Sequence, residues 1–180
     1  AMNAGLDTVV KTAAAMGIES SLRPIPSLAM GSQELTPLEL ATAYATLANG
    51  GHRVHPRMLE GVRDRDGGWL ERSSPRSEIG IDPRVAAVVT RILEGVVEDG
   101  TASAVRRGGF SLPVAGKTGT SNDSRDGWMV GYTPDLVVVA WVGFDQKRSL
   151  KLGSTKTAVP LWLHYMNAIE PLLEGEEFAQ

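Results

Sequence analysis

The chain has 180 residues, with 18 Lys and Arg against 21 Asp and Glu, a formal charge of −3 and no cysteine. That length suits one compact domain or a large part of one, and the balanced charge gives no electrostatic footprint for a nucleic-acid partner. Zero cysteines exclude a disulfide framework, a thiolate zinc site and a cysteine nucleophile, and no apolar run approaches the ~20 residues that span a bilayer, so no membrane contact is expected of this segment.

In chain order, Leu6–Met16 carries Leu6, Val9, Val10 and Ala13 on one helical face and stops at Gly17. Thr36-Pro37-Leu38-Glu39 is a capping box with proline in the first turn, and it opens a helix that Gly50-Gly51 ends. Arg57–Asp64 and Trp69–Arg72 read as a hairpin about Asp66-Gly67-Gly68, with Arg72–Glu78 as a flexible loop after it. From Asp82 to Asp99, apolar residues at 85, 88, 89, 92, 93, 96 and 97 predict a helix with one buried stripe, capped by Asp82 and stopped by Gly100.

Pro113–Ser121, Gly127–Tyr132 and Leu136–Phe144 then read as successive strands. The link Thr133-Pro134-Asp135 is too short for a parallel crossover, so the last two pair antiparallel. Leu136–Val142 is apolar on both faces and is expected to be a central, doubly covered strand. A helix over Val159–Leu172 follows. The fold class expected is α+β, an antiparallel sheet packed between helices, in one unit spanning 1–180: helical 4–50, hairpin 57–72, helix 82–99, sheet strands 113–145 and C-terminal helix 159–172.

The stretch richest in chemistry is Ala115-Gly116-Lys117-Thr118-Gly119-Thr120-Ser121. As a phosphate loop it lacks the glycine five positions before Gly116, where Ser111 stands, and strand sequence follows where a helix is needed. As a strand it has other uses. Small residues let a peptide backbone lie alongside, and Gly119 removes a side chain at the closest approach. Alternation puts the Thr118 and Thr120 hydroxyls on one side, where they can hold a carboxylate, with the charge of Lys117 nearby. The tripeptide Lys-Thr-Gly alone is weak evidence.

Its surroundings are stronger. The segment from Gly116 through Asp-Gly-Trp-Met-Val-Gly-Tyr-Thr-Pro-Asp to Asp145 closely resembles the transpeptidase domain of bifunctional, class A penicillin-binding proteins, for which the Lys-Thr-Gly element is characteristic. Met30–Gly51 and Asp82–Thr101 resemble further segments of the same family, so the likeness runs from about Leu6 to Met166. It implies a serine acyltransferase that cross-links peptidoglycan stem peptides and is acylated by β-lactams, without a cofactor or metal. It also implies a parent protein on the outer face of the cytoplasmic membrane, anchored by a segment absent here, with a glycosyltransferase domain upstream in the usual member.

The family site needs Ser-x-x-Lys and Ser-x-Asn as well. No serine here has lysine three positions on or asparagine two positions on, so the chain resembles the carboxy-terminal half of the domain and is expected to be inactive alone. Carried over, Lys117 assists proton transfers as a catalytic and substrate-binding residue. Thr118 and Thr120 bind the substrate or penicillin carboxylate beside Gly119, and the Thr120 N–H forms half of the oxyanion hole. Two alternatives stand beside this reading, a non-catalytic scaffold module of the same fold and a P-loop-like nucleotide binder. Elsewhere, His52 and His55 read as surface residues, Asp123 and Asp126 as turn residues, and Trp128, Trp141 and Trp162 as packing. Self-association is expected through faces that the other half of the domain would cover.

Overall fold

The computed structural model describes residues 3–178; residues 1–2 and 179–180, at the ends of the expected unit, lie outside the described residues. The elements are α1 (Leu6–Ala15), α2 (Pro37–Ala48), β1 (His52–Val54), β2 (Gly61–Arg63), β3 (Trp69–Arg72), β4 (Ser77–Ile79), α3 (Pro83–Glu98), α4 (Ala104–Arg107), β5 (Ala115–Thr120), β6 (Gly127–Tyr132), β7 (Val137–Val142) and α5 (Ala158–Ile169). The fold is α+β. A three-stranded antiparallel sheet in the order β5-β6-β7 lies between α5 on one face and α2 with α3 on the other, and the pairs β1-β4 and β2-β3 stand apart from it.

On the α5 face, Trp162, Val159 and Met166 pack on Met129 and Ala140 of the sheet, joined by Val97, Val105 and Phe110. Trp162 is 1% exposed, meets Phe110 edge-on with centroids 5.9 Å apart, and donates from Nε1 to the Val138 carbonyl at 3.1 Å. Gly131 is required beneath it, because a Cβ there would stand 2.4 Å from the Trp162 ring. On the opposite face, Leu47 of α2, Ala86 of α3, Ala115 and Tyr132 form a second cluster, with the Tyr132 hydroxyl donating to Thr90 Oγ1 at 2.9 Å.

The helix ends follow local chemistry. Asp82 accepts the Arg84 N–H at 2.8 Å, and Pro171 ends α5 in a single 3-10 turn, Glu170–Leu172, in place of regular helix to Leu172. At α2 the capping box is complete: Glu39 N–H donates to Thr36 Oγ1 at 3.2 Å and Thr36 N–H to Glu39 Oε2 at 2.9 Å. The same carboxylate accepts the Glu19 N–H at 2.9 Å and the Ser20 N–H, tying the segment after α1 to α2. Hydrogen bonds from Thr36, backbone first and then hydroxyl, hold Glu39 at about 2, against its usual 4.5. A carboxylate lowered on folding stabilises the fold fully above its unfolded value and loses that contribution as pH falls. Stability is therefore expected to drop between pH 4.5 and about 2, and Glu39→Gln is expected to flatten that limb in acid titrations followed by circular dichroism.

Four sequence expectations need correction. β6, not the Leu136–Val142 strand, is central; β7 pairs with β6 alone among the described residues, and it is apolar on both sides because α5 and α2 cover its two faces. The helix over 83–98 buries a narrower stripe than its apolar positions span. Ala86, Thr90 and Val97 are buried, whereas Val85, Val88 and Ile92 are 51%, 61% and 64% exposed, because its apolar positions span more of the helix than the sheet covers. The loop expected over Arg72–Glu78 contains the start of β4, which pairs with β1 and is pinned by Arg53 and His55 on Glu78 at 3.7 and 3.4 Å. Finally, α1 and α2 are separated by extended chain and a 3-10 turn at Pro26–Met30, so 4–50 is not helical throughout.

Candidate active site on the edge strand

All four candidate residues lie on β5, which pairs with β6 along one side (Lys117 opposite Val130, Thr118 opposite Met129, Gly119 opposite Trp128, Thr120 opposite Gly127) and carries no strand on its other side among the described residues. The Ser121 N–H donates to the Asp126 carbonyl at 3.1 Å at the end of this ladder. Facing residues of an antiparallel pair alternate between bonded and unbonded pairs. Lys117 and Gly119 therefore turn their backbone groups toward β6, and Thr118 and Thr120 turn theirs to the open edge. Lys117 Nζ lies along that edge, donating to the Thr118 carbonyl at 2.9 Å.

Thr118 and Thr120 share one side of the strand, and each hydroxyl has a partner from a distant segment. Thr118 Oγ1 lies 2.7 Å from Thr101 Oγ1, in the turn after α3. Thr120 Oγ1 donates to Ser154 Oγ at 3.0 Å and accepts the Ser154 N–H at 3.1 Å. Gly119 packs against Trp128, whose Cβ would be 3.3 Å from an added side chain. Sequence reasoning missed Thr101 and Ser154 because both lie far from the motif and neither carries a local signal.

The turn between β5 and β6 is built by Asp126. Its Oδ2 accepts from Ser121 Oγ at 3.0 Å, its Oδ1 accepts from Trp141 Nε1 at 3.1 Å, and its N–H donates to Ser121 Oγ at 2.8 Å. Asp123, in the left-handed region at φ 58°, pairs instead with Arg125 at 2.9 Å. The two carboxylates thus have separate structural partners. Trp128 and Trp141 lie side by side with ring centroids 6.1 Å apart, and Trp141 is exposed at the sheet surface. His55, just past β1, faces Glu78 of β4, in a sheet separate from that of β5.

Gly116-Lys117-Thr118 lies inside a strand followed by a 3-10 turn at Asn122–Ser124 and then β6, not before a helix, so the P-loop alternative is overturned. Asp135, Glu174 and Glu176 bring carboxylate oxygens within 4.8 Å of one another, but all three are exposed and none belongs to β5. Two apolar cavities of about 370 and 350 Å³ lie beside α2, and no β5 residue lines either. The strand edge thus presents amide, hydroxyl and ammonium groups with no strand across from them among the described residues.

Comparison with known proteins identifies the family. The family described as the penicillin binding protein transpeptidase domain matches residues 8–161. Penicillin-binding protein 1A of Neisseria meningitidis is 41% identical over 161 residues, covering 83% of this chain, and the chain spans about a fifth of that relative's length (20%). A crystal structure of penicillin-binding protein 1A from Haemophilus influenzae superposes with a TM-score of 0.90 at 24% identity, over 99% of this chain and 33% of that one. A penicillin-binding protein A from Mycobacterium tuberculosis, solved as a ceftriaxone acyl-enzyme complex, is similar at TM-score 0.68 and 26% identity, over 90% of this chain and 43% of that one. The chain belongs to the penicillin-binding protein transpeptidase domain family and corresponds to a portion of that domain in a class A member.

Proposed function

We propose that this chain supplies the Lys-Thr-Gly wall of the acyl-transfer site of a peptidoglycan synthase, with the serine nucleophile and the Ser-x-Asn element on a part of the protein outside this sequence. The observation that carries the reading is the open β5 edge. It presents the Thr120 N–H outward, beside two hydroxyls on one side and the Lys117 ammonium. A stem peptide or a β-lactam laid antiparallel along this edge gains backbone hydrogen bonds from Thr118 and Thr120. Its carboxylate meets the threonine hydroxyls, and the oxyanion formed on serine attack takes the Thr120 N–H as one of its donors. Lys117 supplies positive charge where the serine proton is moved. The parent is placed on the outer face of the cytoplasmic membrane; no helix among the described residues is long and apolar enough to cross a membrane.

Fluorescent penicillin labelling of the full-length protein, with unlabelled stem peptide as competitor, tests the reading. Covalent label that the peptide suppresses supports it. Absence of label leaves the scaffold alternative. The chain alone is expected to self-associate through the outward face of α3, where Val85, Val88 and Ile92 are exposed together. Sedimentation velocity should show dimers or larger species that shrink when these three are replaced by polar residues; a tight monomer contradicts this.

A further inference from the structure

Ser154 is 4% exposed, and its hydroxyl has one hydrogen-bond partner among the described residues, Thr120 Oγ1. The Ser154 N–H also donates to that oxygen, at 3.1 Å, so the Thr120 hydroxyl oxygen is fixed whichever way the protons point. Two hydroxyls at 3.0 Å share one proton between them and leave the other free. When Thr120 donates, the buried Ser154 proton has no acceptor, which is costly. When Ser154 donates, the free proton is that of Thr120, which is exposed on the strand edge.

Building on the proposed transpeptidase site, we infer that Ser154 is a positioning residue: when a ligand carboxylate arrives, a small turn of its hydroxyl makes it the donor in place of Thr120, releasing the Thr120 proton to that carboxylate. No bond other than these hydrogen bonds is made or broken. Thr101 holds the Thr118 hydroxyl in a matching pair at 2.7 Å, but at an exposed position where water can substitute for it, so the larger effect belongs to Ser154.

The test uses the full-length protein, a penicillin with its free carboxylate, and the methyl ester of the same penicillin. Ser154→Ala is expected to lower the second-order acylation constant about tenfold for the free acid and less than about twofold for the ester, the difference being one charge-assisted hydrogen bond. In a Thr120→Val background, Ser154→Ala is expected to add nothing further, because it acts through the Thr120 hydroxyl. Equal slowing of both probes, or a full additional loss in the Thr120→Val background, overturns the proposal and leaves Ser154 as packing alone. Failure of the unaltered protein to be acylated by either probe overturns the transpeptidase reading itself, and this proposal with it.

Discussion

Lys117→Ala in the full-length protein is expected to slow acylation by a penicillin by about 10²–10⁴-fold, the span typical of a side chain that assists proton transfer in the transition state. The expectation follows from position. Lys117 pairs through its backbone with β6, yet its ammonium lies along the open edge, bonded to the Thr118 carbonyl at 2.9 Å and, among the described residues, to no carboxylate. The charge is thus held at the proposed reaction site with no acidic partner among the described residues. Lys117→Arg keeps the charge but changes its shape and donor geometry, and is expected to recover only part of the rate. Stopped-flow acylation, with near-ultraviolet circular dichroism as a check on folding, decides the matter. A loss under threefold with the fold intact would mean that Lys117 is a solvated edge residue.

The largest structural effect is expected at Trp162. Trp162→Ala should destabilise the chain by about 3–5 kcal/mol, through lost burial and the cavity left behind. Its ring is 1% exposed, contacts Phe110 edge-on, and fills the space that Gly131 leaves open on β6. Trp162→Phe should cost less, because it keeps most of the apolar contact and loses the hydrogen bond to the Val138 carbonyl. Denaturant titration measures both. Near-equal stability of the alanine variant and the unaltered chain would contradict the packing of α5 on this sheet.

Much of the architecture is legible in the sequence because it is punctuated locally. Thr36-Pro37-Leu38-Glu39 and Asp82-Pro83 state where two helices start in terms of side-chain oxygens and missing donors. The turn at Asp66-Gly67-Gly68 needs the positive φ of Gly67, 85°, and the hairpin follows from it. What escaped the sequence depends on contacts that no local pattern encodes. β1 and β4 are three residues each, with little apolar alternation, and their pairing joins segments separated by an exposed hairpin. Val85, Val88 and Ile92 flank the buried stripe of α3 and are as apolar as the residues in it, so periodicity cannot say which of them meet the sheet. The same holds at the candidate site. Alternation along a strand foretells that Thr118 and Thr120 share a side, but their hydroxyl partners, Thr101 and Ser154, lie 17 and 34 positions away and are brought there only by the fold.

The claim that β5 is one wall of a serine acyl-transfer site is tested most directly by intact mass after incubation with a penicillin, on the full-length protein with this chain as its control. The account predicts a single covalent adduct of the penicillin's mass on the full-length protein and none on the chain. An adduct on the chain alone, or no adduct on a folded full-length protein, would contradict it.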